Sequence, residues 1–360
     1  MSDRSSKPPR GRGATENPSG RFERHRIEPD APSESWESEI RTSPLTRVTT
    51  EKTRRAIATN DSPDVPFERS LNPYKGCEHG CIYCFARPSH AYLGLSPGID
   101  FETRIVAKPD APAALRRELA RRGYRPRTLA LGANTDPYQP VEREQRITRG
   151  VLELLAETRH PVSIVTKSAL VLRDLDILSA MARRRLAHVN ISITTLDNAL
   201  ARTMEPRAAT PQRRFDTLAK LTAAGIPTSV LASPMIPGLN DHELESILQR
   251  SRDAGARSAG YILIRLPREV AELFEQWLET HYPLKKRRVL ELIRETRGGD
   301  LYRSEFGERM TGTGPYARLL ADRFAIACER LGLTERPTEL DATAFQRPRD
   351  DVAQRSLFDP

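Results

Sequence analysis

The stretch Leu71-Asn-Pro-Tyr-Lys-Gly-Cys77-Glu-His-Gly-Cys81-Ile-Tyr-Cys84-Phe85 decides how the rest of the chain is read. Three of the chain's four cysteines fall in it, spaced C-x3-C-x2-C. Four cysteines in 360 residues are too few for a disulfide framework, so the crowding reads as metal ligation in a reducing compartment. Three thiolates on one short loop suit three irons of a cubane and leave the fourth iron without a protein ligand. Zinc is the other metal that soft thiolates select. A structural zinc site needs a fourth ligand, and His79 lies inside the loop. Zinc-binding cysteine pairs usually sit on two arms joined by a longer insert, whereas here every candidate shares one loop. Iron–sulfur is the preferred reading, with a Cys3His zinc module as the alternative.

Downstream of this loop, short apolar or β-branched runs alternate with amphipathic stretches. The runs Arg104–Ala107, Thr128–Leu131, Val162–Thr166, Val189–Thr194, Pro227–Ala232 and Tyr261–Leu266 read as strands. Between them, Ala111–Arg122, Glu144–Thr158, Leu170–Arg184, Pro211–Ala224, His242–Ala254 and Arg268–His281 read as helices. Gly123, Gly225 and Gly255 stand where a C-terminal capping glycine belongs. This alternation predicts βαβ units on a parallel sheet, hence an α/β fold of the partial (β/α)6 barrel type over 66–281. In such folds the chemistry sits at the C-terminal ends of the strands.

The rest of the chain reads as appendages. A helical extension is expected over 282–333, with a helix near Lys285–Thr296 and another over Pro315–Leu331. On the latter, Cys328 shares an apolar face with Leu320 and Phe324, which makes it a core residue rather than a ligand. Residues 1–60 and 334–360 are rich in proline and charge and are expected to be disordered. No run of 18 apolar residues occurs, so no transmembrane helix is expected. The N-terminus has no apolar signal-like region, and a cytoplasmic location is expected. A net charge of +9 permits a polyanionic partner without demanding one.

With Tyr83 ahead of the third cysteine, the loop resembles the signature of the radical S-adenosylmethionine enzymes. More closely, the chain resembles their spore photoproduct lyase-like (DNA repair photolyase-related) group. Asn72-Pro-Tyr-Lys-Gly-Cys77, Thr135-Asp-Pro-Tyr-Gln-Pro140 with Glu142, and Pro234-Met-Ile-Pro-Gly-Leu-Asn-Asp241 carry that likeness, which covers about 66–333. The resemblance implies a [4Fe–4S] cluster on Cys77, Cys81 and Cys84. It implies S-adenosylmethionine chelated to the open iron and cleaved reductively to a 5′-deoxyadenosyl radical, with a reductant such as flavodoxin or ferredoxin.

The same resemblance suggests cofactor-binding groups at the strand ends. Asn134 and Asp136 are candidates for the cofactor's ammonium, although Asp136-Pro137 also suits a plain turn. Lys167, with Ser168 beside it, is the candidate for the carboxylate. Ser192 and Thr194 alternate with isoleucines and so share one face, suited to ribose hydroxyls. Tyr83 would place its backbone near adenine, and Glu205-Pro206-Arg207 would line the substrate side. Asn240 and Asp241 read as a turn entering a helix.

The chain departs from spore photoproduct lyase itself by having no cysteine between Cys84 and Cys328. The hydrogen-returning cysteine of that enzyme thus has no counterpart there, and Tyr138 or Tyr92 is the alternative donor. Near the C-terminus, Gln354-Arg-Ser-Leu357-Phe358 resembles the peptide by which bacterial DNA enzymes dock on the sliding clamp. A DNA-directed radical enzyme is therefore expected. The alternatives are a small-molecule or protein substrate, or a non-catalytic zinc module.

Overall fold

The computed structural model describes residues 11–22, 45–335 and 339–348. Among them are the strands β1 (Arg47–Thr50), β2 (Ala58–Thr59), β3 (Arg69–Leu71), β4 (Tyr74–Lys75), β5 (Arg104–Ala107), β6 (Leu129–Leu131), β7 (Val162–Thr166), β8 (Ala187–Ser192), β9 (Thr228–Met235) and β10 (Ser258–Leu263). The larger sheet runs β10-β9-β8-β7-β6-β3-β2. Its six strands from β3 to β10 are parallel in register, and only the short edge strand β2 is antiparallel. Six parallel strands in sequence order, with helical crossovers, are the α/β arrangement expected from the alternation.

The helices are α1 (Ile99–Thr103), α2 (Ala111–Leu119), α3 (Glu142–Gln145), α4 (Ile147–Glu157), α5 (Leu175–Ala182), α6 (Asn198–Met204), α7 (Pro211–Ala223), α8 (Leu244–Asp253), α9 (Glu269–His281), α10 (Pro283–Glu295) and α11 (Gly314–Leu331). Contacts run from α2 to α4 to α5 and from α7 to α8 to α11, so these helices form an outer layer on the sheet. The main core lies between, filled by residues such as Leu131, Ile164, Val189, Val230, Leu155, Leu218 and Leu248. Strand alternation sorts the side chains. On β8, Val189 and Ile191 join that core, while His188, Asn190 and Ser192 form a polar row that reaches Ser229, Ser163 and Ser233. Burial lowers the His188 pKa to about 4, so its imidazole is neutral among those hydroxyls.

Several expectations change. Arg104–Ala107 is a strand, but it pairs with β1 and β4 in a separate three-stranded sheet. The first strand of the parallel array is instead Arg69-Ser-Leu71, too short to show a period in the sequence. The helix expected over Glu144–Thr158 starts earlier and breaks at Arg146, whose φ is +51°. Glu142 bridges the break by accepting from the amides of Thr148 (3.1 Å) and Arg149 (3.4 Å). The stretch expected as one helix over Leu170–Arg184 begins with a 3-10 segment, Ala169–Asp174, capped by Ser168. Gly225 and Gly255 do follow α7 and α8 with positive φ. Gly123 does not cap α2, which ends at Leu119.

The tails are also more ordered than composition suggested. Residues 11–22 pack on the cysteine loop and its neighbours. Residues 45–60 supply β1 and β2, and 339–348 lie on the helical layer, where Phe345 meets Tyr124 and His160. Hydrogen bonding offsets their low apolar content: Asp341 and Gln346 donate backbone N–H groups to Arg185 and Thr158. Cys328 is buried in the main core, and α11 extends the helical layer.

Gly132 ends β6 with φ +89°, and a Cβ there would lie 2.2 Å from the Val165 carbonyl oxygen. Gly132→Ala is expected to cost about 1–3 kcal/mol in urea denaturation. Gly123→Ala, at a position with nothing within 4 Å, should be neutral or slightly stabilising. Equal midpoints for the two variants would contradict this account of the β6 turn.

Candidate functional site

The cysteine loop follows directly from β3 and β4, so it sits at the C-terminal end of the parallel strands. Gly76 and Gly80 turn it with positive φ. A Cβ on Gly80 would lie 2.6 Å from a Glu102 carboxylate oxygen, so only glycine fits that approach. Cys77 and Cys81 are buried and Cys84 is half-buried. Burial pushes all three thiols above their ordinary range, Cys77 and Cys81 furthest. Such thiols stay protonated unless a metal takes the proton's place.

One side chain holds the loop from inside. The Arg87 guanidinium is fully buried. It donates to the carbonyls of Cys81 (2.9 Å), Gly80 (3.2 Å), Pro97 (3.0 Å) and Gly98 (2.9 Å) and to the Glu102 carboxylate (2.5 Å). Glu102 in turn accepts from the Gly13 and Ala14 amides at 3.0 and 2.9 Å, which ties the N-terminal segment to the loop.

The segment 134–142 holds the loop from the other side. Asn72 accepts from the Asn134 amide at 3.0 Å, and Thr135 donates to the Tyr74 carbonyl at 2.9 Å. Gln139 accepts from the Glu78 amide (2.9 Å) and donates to the Gly76 carbonyl (3.1 Å). Tyr74 donates to Glu142. The motifs at 72–77 and 135–142 are therefore two halves of one clamp.

The structure distributes the site candidates as follows. The Asn134 side chain is exposed. Asp136 accepts from the Tyr138 amide (2.8 Å), the Thr166 hydroxyl (2.7 Å) and the Lys167 amide (2.8 Å), and it pairs with His79 at 3.3 Å. Burial opposes its ionisation, but His79, the Lys167 amide and Thr166 outweigh burial and hold its carboxyl below the ordinary value. Its oxygens are thus occupied from within the chain. Ser168 is taken up by capping, accepting from the Leu170 amide at 3.2 Å.

Lys167, Ser192, Thr194 and Tyr83 do converge, around Glu205. Lys167 donates to Ser192 at 2.6 Å and lies 3.5 Å from Glu205. Thr194 donates to Glu205 at 2.8 Å, and Tyr83 and Arg214 donate to the same carboxylate. Burial favours the neutral acid, but Arg214 and Lys167 overcome it and lower the Glu205 pKa to about 2. Both cations and the Glu205 carboxylate act on the Cys81 thiol.

Glu205 was expected on the substrate side and is instead the centre of this group. Arg214 was missed in the sequence because it lies on the amphipathic stretch of α7, where an arginine reads as solvated. Tyr138 is not part of the group: its hydroxyl donates to Asp174 at 3.1 Å and its ring lies in the main core. Tyr92 is exposed against Phe22. Asn240 is buried and bridges the Thr194 and Pro234 carbonyls and the Ile236 amide. Gln354, Leu357 and Phe358 lie outside the described residues.

The donor set fits an iron–sulfur cubane better than one zinc ion. Among the described residues no three His, Cys, Asp or Glu side chains converge as ligands of one ion, and His79 is held by Asp136. A cubane instead takes each thiolate on a separate iron.

The Radical SAM superfamily profile matches residues 71–250. An uncharacterized protein of Mycobacterium tuberculosis (strain ATCC 25618 / H37Rv) is 37% identical over 263 residues, which are 72% of this chain and 77% of that one. A Radical SAM Nalpha-GlyT isomerase of Pseudomonas phage M6 is 25% identical over 176 residues, covering 48% of this chain and 34% of the isomerase. Spore photoproduct lyase complexed with dinucleoside spore photoproduct superposes with a TM-score of 0.59 at 18% identity, covering 80% of this chain and 81% of that one. The chain belongs to the Radical SAM superfamily, and its fold is that of spore photoproduct lyase.

Proposed function

We propose that this chain is a radical S-adenosylmethionine enzyme acting on nucleic acid, with Cys77, Cys81 and Cys84 holding a [4Fe–4S] cluster. The observation that carries the proposal is the three-thiol loop, clamped on both sides and set beside the Lys167 and Arg214 cations. When bound, a cluster held by these thiolates and its S-adenosylmethionine would supply one-electron radical chemistry for hydrogen-atom abstraction. The chain's own residues bind and orient. Lys167 offers its ammonium to the cofactor's carboxylate, and Arg214 keeps Glu205 ionised while Lys167 is so engaged. Ser192 and Thr194, on one face, would reach the ribose only by exchanging the bonds they make to Lys167, Ser233 and Glu205. The exposed side chain of Asn134 is the free polar group at the end of β6 for the cofactor's ammonium, and Asp136 acts by fixing His79 and the Lys167 backbone. The Tyr83 ring packs under Lys167, 5.8 Å from its ammonium.

Spore photoproduct lyase in complex with a dinucleoside photoproduct supports a nucleic-acid substrate, as does the net charge of +9. A docking role for Gln354, Leu357 and Phe358 on a sliding clamp, and reduction by a flavodoxin or ferredoxin, belong to the same proposal. One observation favours a small-molecule or protein substrate instead. The sole cysteine outside the loop, Cys328, is buried in the core, and Tyr138 is committed to Asp174. Neither offers the hydrogen return that dimer repair would need.

Anaerobic reconstitution with iron and sulfide, followed by S-adenosylmethionine and dithionite, is expected to yield 5′-deoxyadenosine with the wild type and none with Cys81→Ala. Tightly bound zinc, no iron–sulfur absorbance and no 5′-deoxyadenosine would overturn the proposal. Lys167→Ala should keep its cluster but weaken S-adenosylmethionine binding by about tenfold to hundredfold, the worth of a charge-assisted hydrogen bond. An unchanged Kd by equilibrium dialysis would remove Lys167 from the carboxylate site.

Glu205 gives a pH signature. Its pKa falls from 4.5 to about 2 on folding, so its ionised form contributes stability above pH 4.5. That contribution is lost as pH falls from 4.5 toward about 2. Urea midpoints should therefore show the wild type's advantage over Glu205→Gln shrinking as pH is lowered through that window. A constant advantage would mean that Glu205 is not held ionised.

A further inference from the structure

A second cluster of charge lies on the rim of the same face, outside the group around Glu205. The segment after β1, Glu51-Lys-Thr-Arg-Arg55, and Lys108 after β5 line an open pocket of about 350 Å³. The crossover helix α2 joins two parallel strands, so it runs against them and begins at the end of the sheet where the cysteine loop sits. Lys108 stands three residues before α2 and donates to the Asn72 carbonyl at 3.2 Å. That same Asn72 accepts from the Asn134 amide. Thr53 is fixed to Asp110 through its amide (3.0 Å) and hydroxyl (2.6 Å). The pocket thus backs onto the strand that leads into the cysteines.

Its charges are unevenly committed. The nearby carboxylates all have partners within the chain: Glu51 pairs with Lys75, Asp110 with Thr53, and Glu118 accepts from the Ala56 amide at 2.5 Å. Lys52, Arg54 and Arg55 are exposed and have no ion-pair partner among the described residues. Three free cations converge with Lys108 on one concavity. The Thr53–Asp110 bonds fix the backbone from which Lys52, Arg54 and Arg55 project.

We propose that this pocket binds the phosphodiester backbone of a single strand whose base is presented to the cysteine-loop site. Phosphates are the ligand class that such a cluster of ammonium and guanidinium donors recognises. The bases carry the chemistry and the backbone contacts set the register. The inference rests on the nucleic-acid reading above.

The test is fluorescence anisotropy with a labelled single-stranded oligodeoxynucleotide of about 20 nucleotides, from about 50 to about 300 mM NaCl. Three variants are compared: wild type, Lys52→Ala/Arg54→Ala/Arg55→Ala, and Lys285→Ala/Arg287→Ala/Arg288→Ala. The last removes the same charge from exposed positions on α10, an element that does not line the pocket. All six side chains are exposed, and matched thermal melts confirm folding. The pocket variant is expected to bind at least about tenfold more weakly, with the slope of log K against log salt shallower by about 2, the release expected for three lost phosphate contacts on a single strand. The α10 variant should keep the wild-type slope. Equal losses in both variants, or none in the pocket variant, would overturn the pocket. Displacement of the strand by inorganic phosphate, beyond the effect of NaCl at equal ionic strength, would overturn it in favour of a small-anion site. No binding by the wild type at the lowest salt would instead sink the nucleic-acid reading on which the pocket depends.

Discussion

The buried ion pair between Arg87 and Glu102 is the constraint on which the cysteine loop depends. Two charges away from water carry a desolvation cost that Coulomb attraction alone often fails to offset. Here geometry makes up the difference. All five N–H donors of Arg87 are used, four of them on backbone carbonyls of the loop and its neighbour. Both oxygens of Glu102 accept from the Gly13 and Ala14 amides as well. A loop with glycines at 76 and 80 has little conformational preference of its own. The pair supplies what the local sequence lacks, a fixed path for the backbone at Gly80 and Cys81.

Beyond the loop, a second buried charge centre has the opposite balance. Arg87 and Glu102 neutralise each other, whereas Glu205 faces both Arg214 and Lys167. Arg214 is fully buried and donates also to the Ser192 and Ala209 carbonyls, so it is fixed. Lys167 is partly exposed, with a hydroxyl and a longer ion pair as its contacts. The movable positive charge is therefore Lys167, on a flexible stem that can turn toward an incoming carboxylate. One arginine anchors the acid and one lysine remains exchangeable, which is an arrangement suited to binding rather than to packing.

The parallel array was legible because its strands and crossover helices each carry a period the sequence displays. Ser192 and Thr194 were placed on one face by strand alternation alone, and both hydroxyls indeed lie within hydrogen-bond distance of the Ser233 carbonyl. The first strand, β3, was not legible, since three residues cannot show alternation. Arg104–Ala107 has strand character but gives no sign of which sheet it joins, because pairing with β1 and β4 is a non-local choice. Glu205 was expected, with Pro206 and Arg207, only to line the substrate side. Its role depends on Arg214 and Tyr83, nine and 122 residues away, and no local pattern encodes that meeting.

The N-terminal segment shows why composition misled. Residues 11–22 bury little apolar surface, so low hydrophobicity argued against order. Their order comes from polar satisfaction instead. A Cβ on Gly13 would lie 1.9 Å from the Gly80 carbonyl oxygen, so the backbone itself packs against the loop. Asn17 accepts from the Asp100 amide (2.9 Å), Ser96 donates to the Pro18 carbonyl (2.5 Å), and Arg21 pairs with Glu269 at 2.7 Å. These contacts satisfy polar groups around the loop, and an unmade hydrogen bond at a buried group costs more than a made one contributes. The segment is ordered by the needs of the surface it covers, and that surface is the outer wall of the cysteine loop.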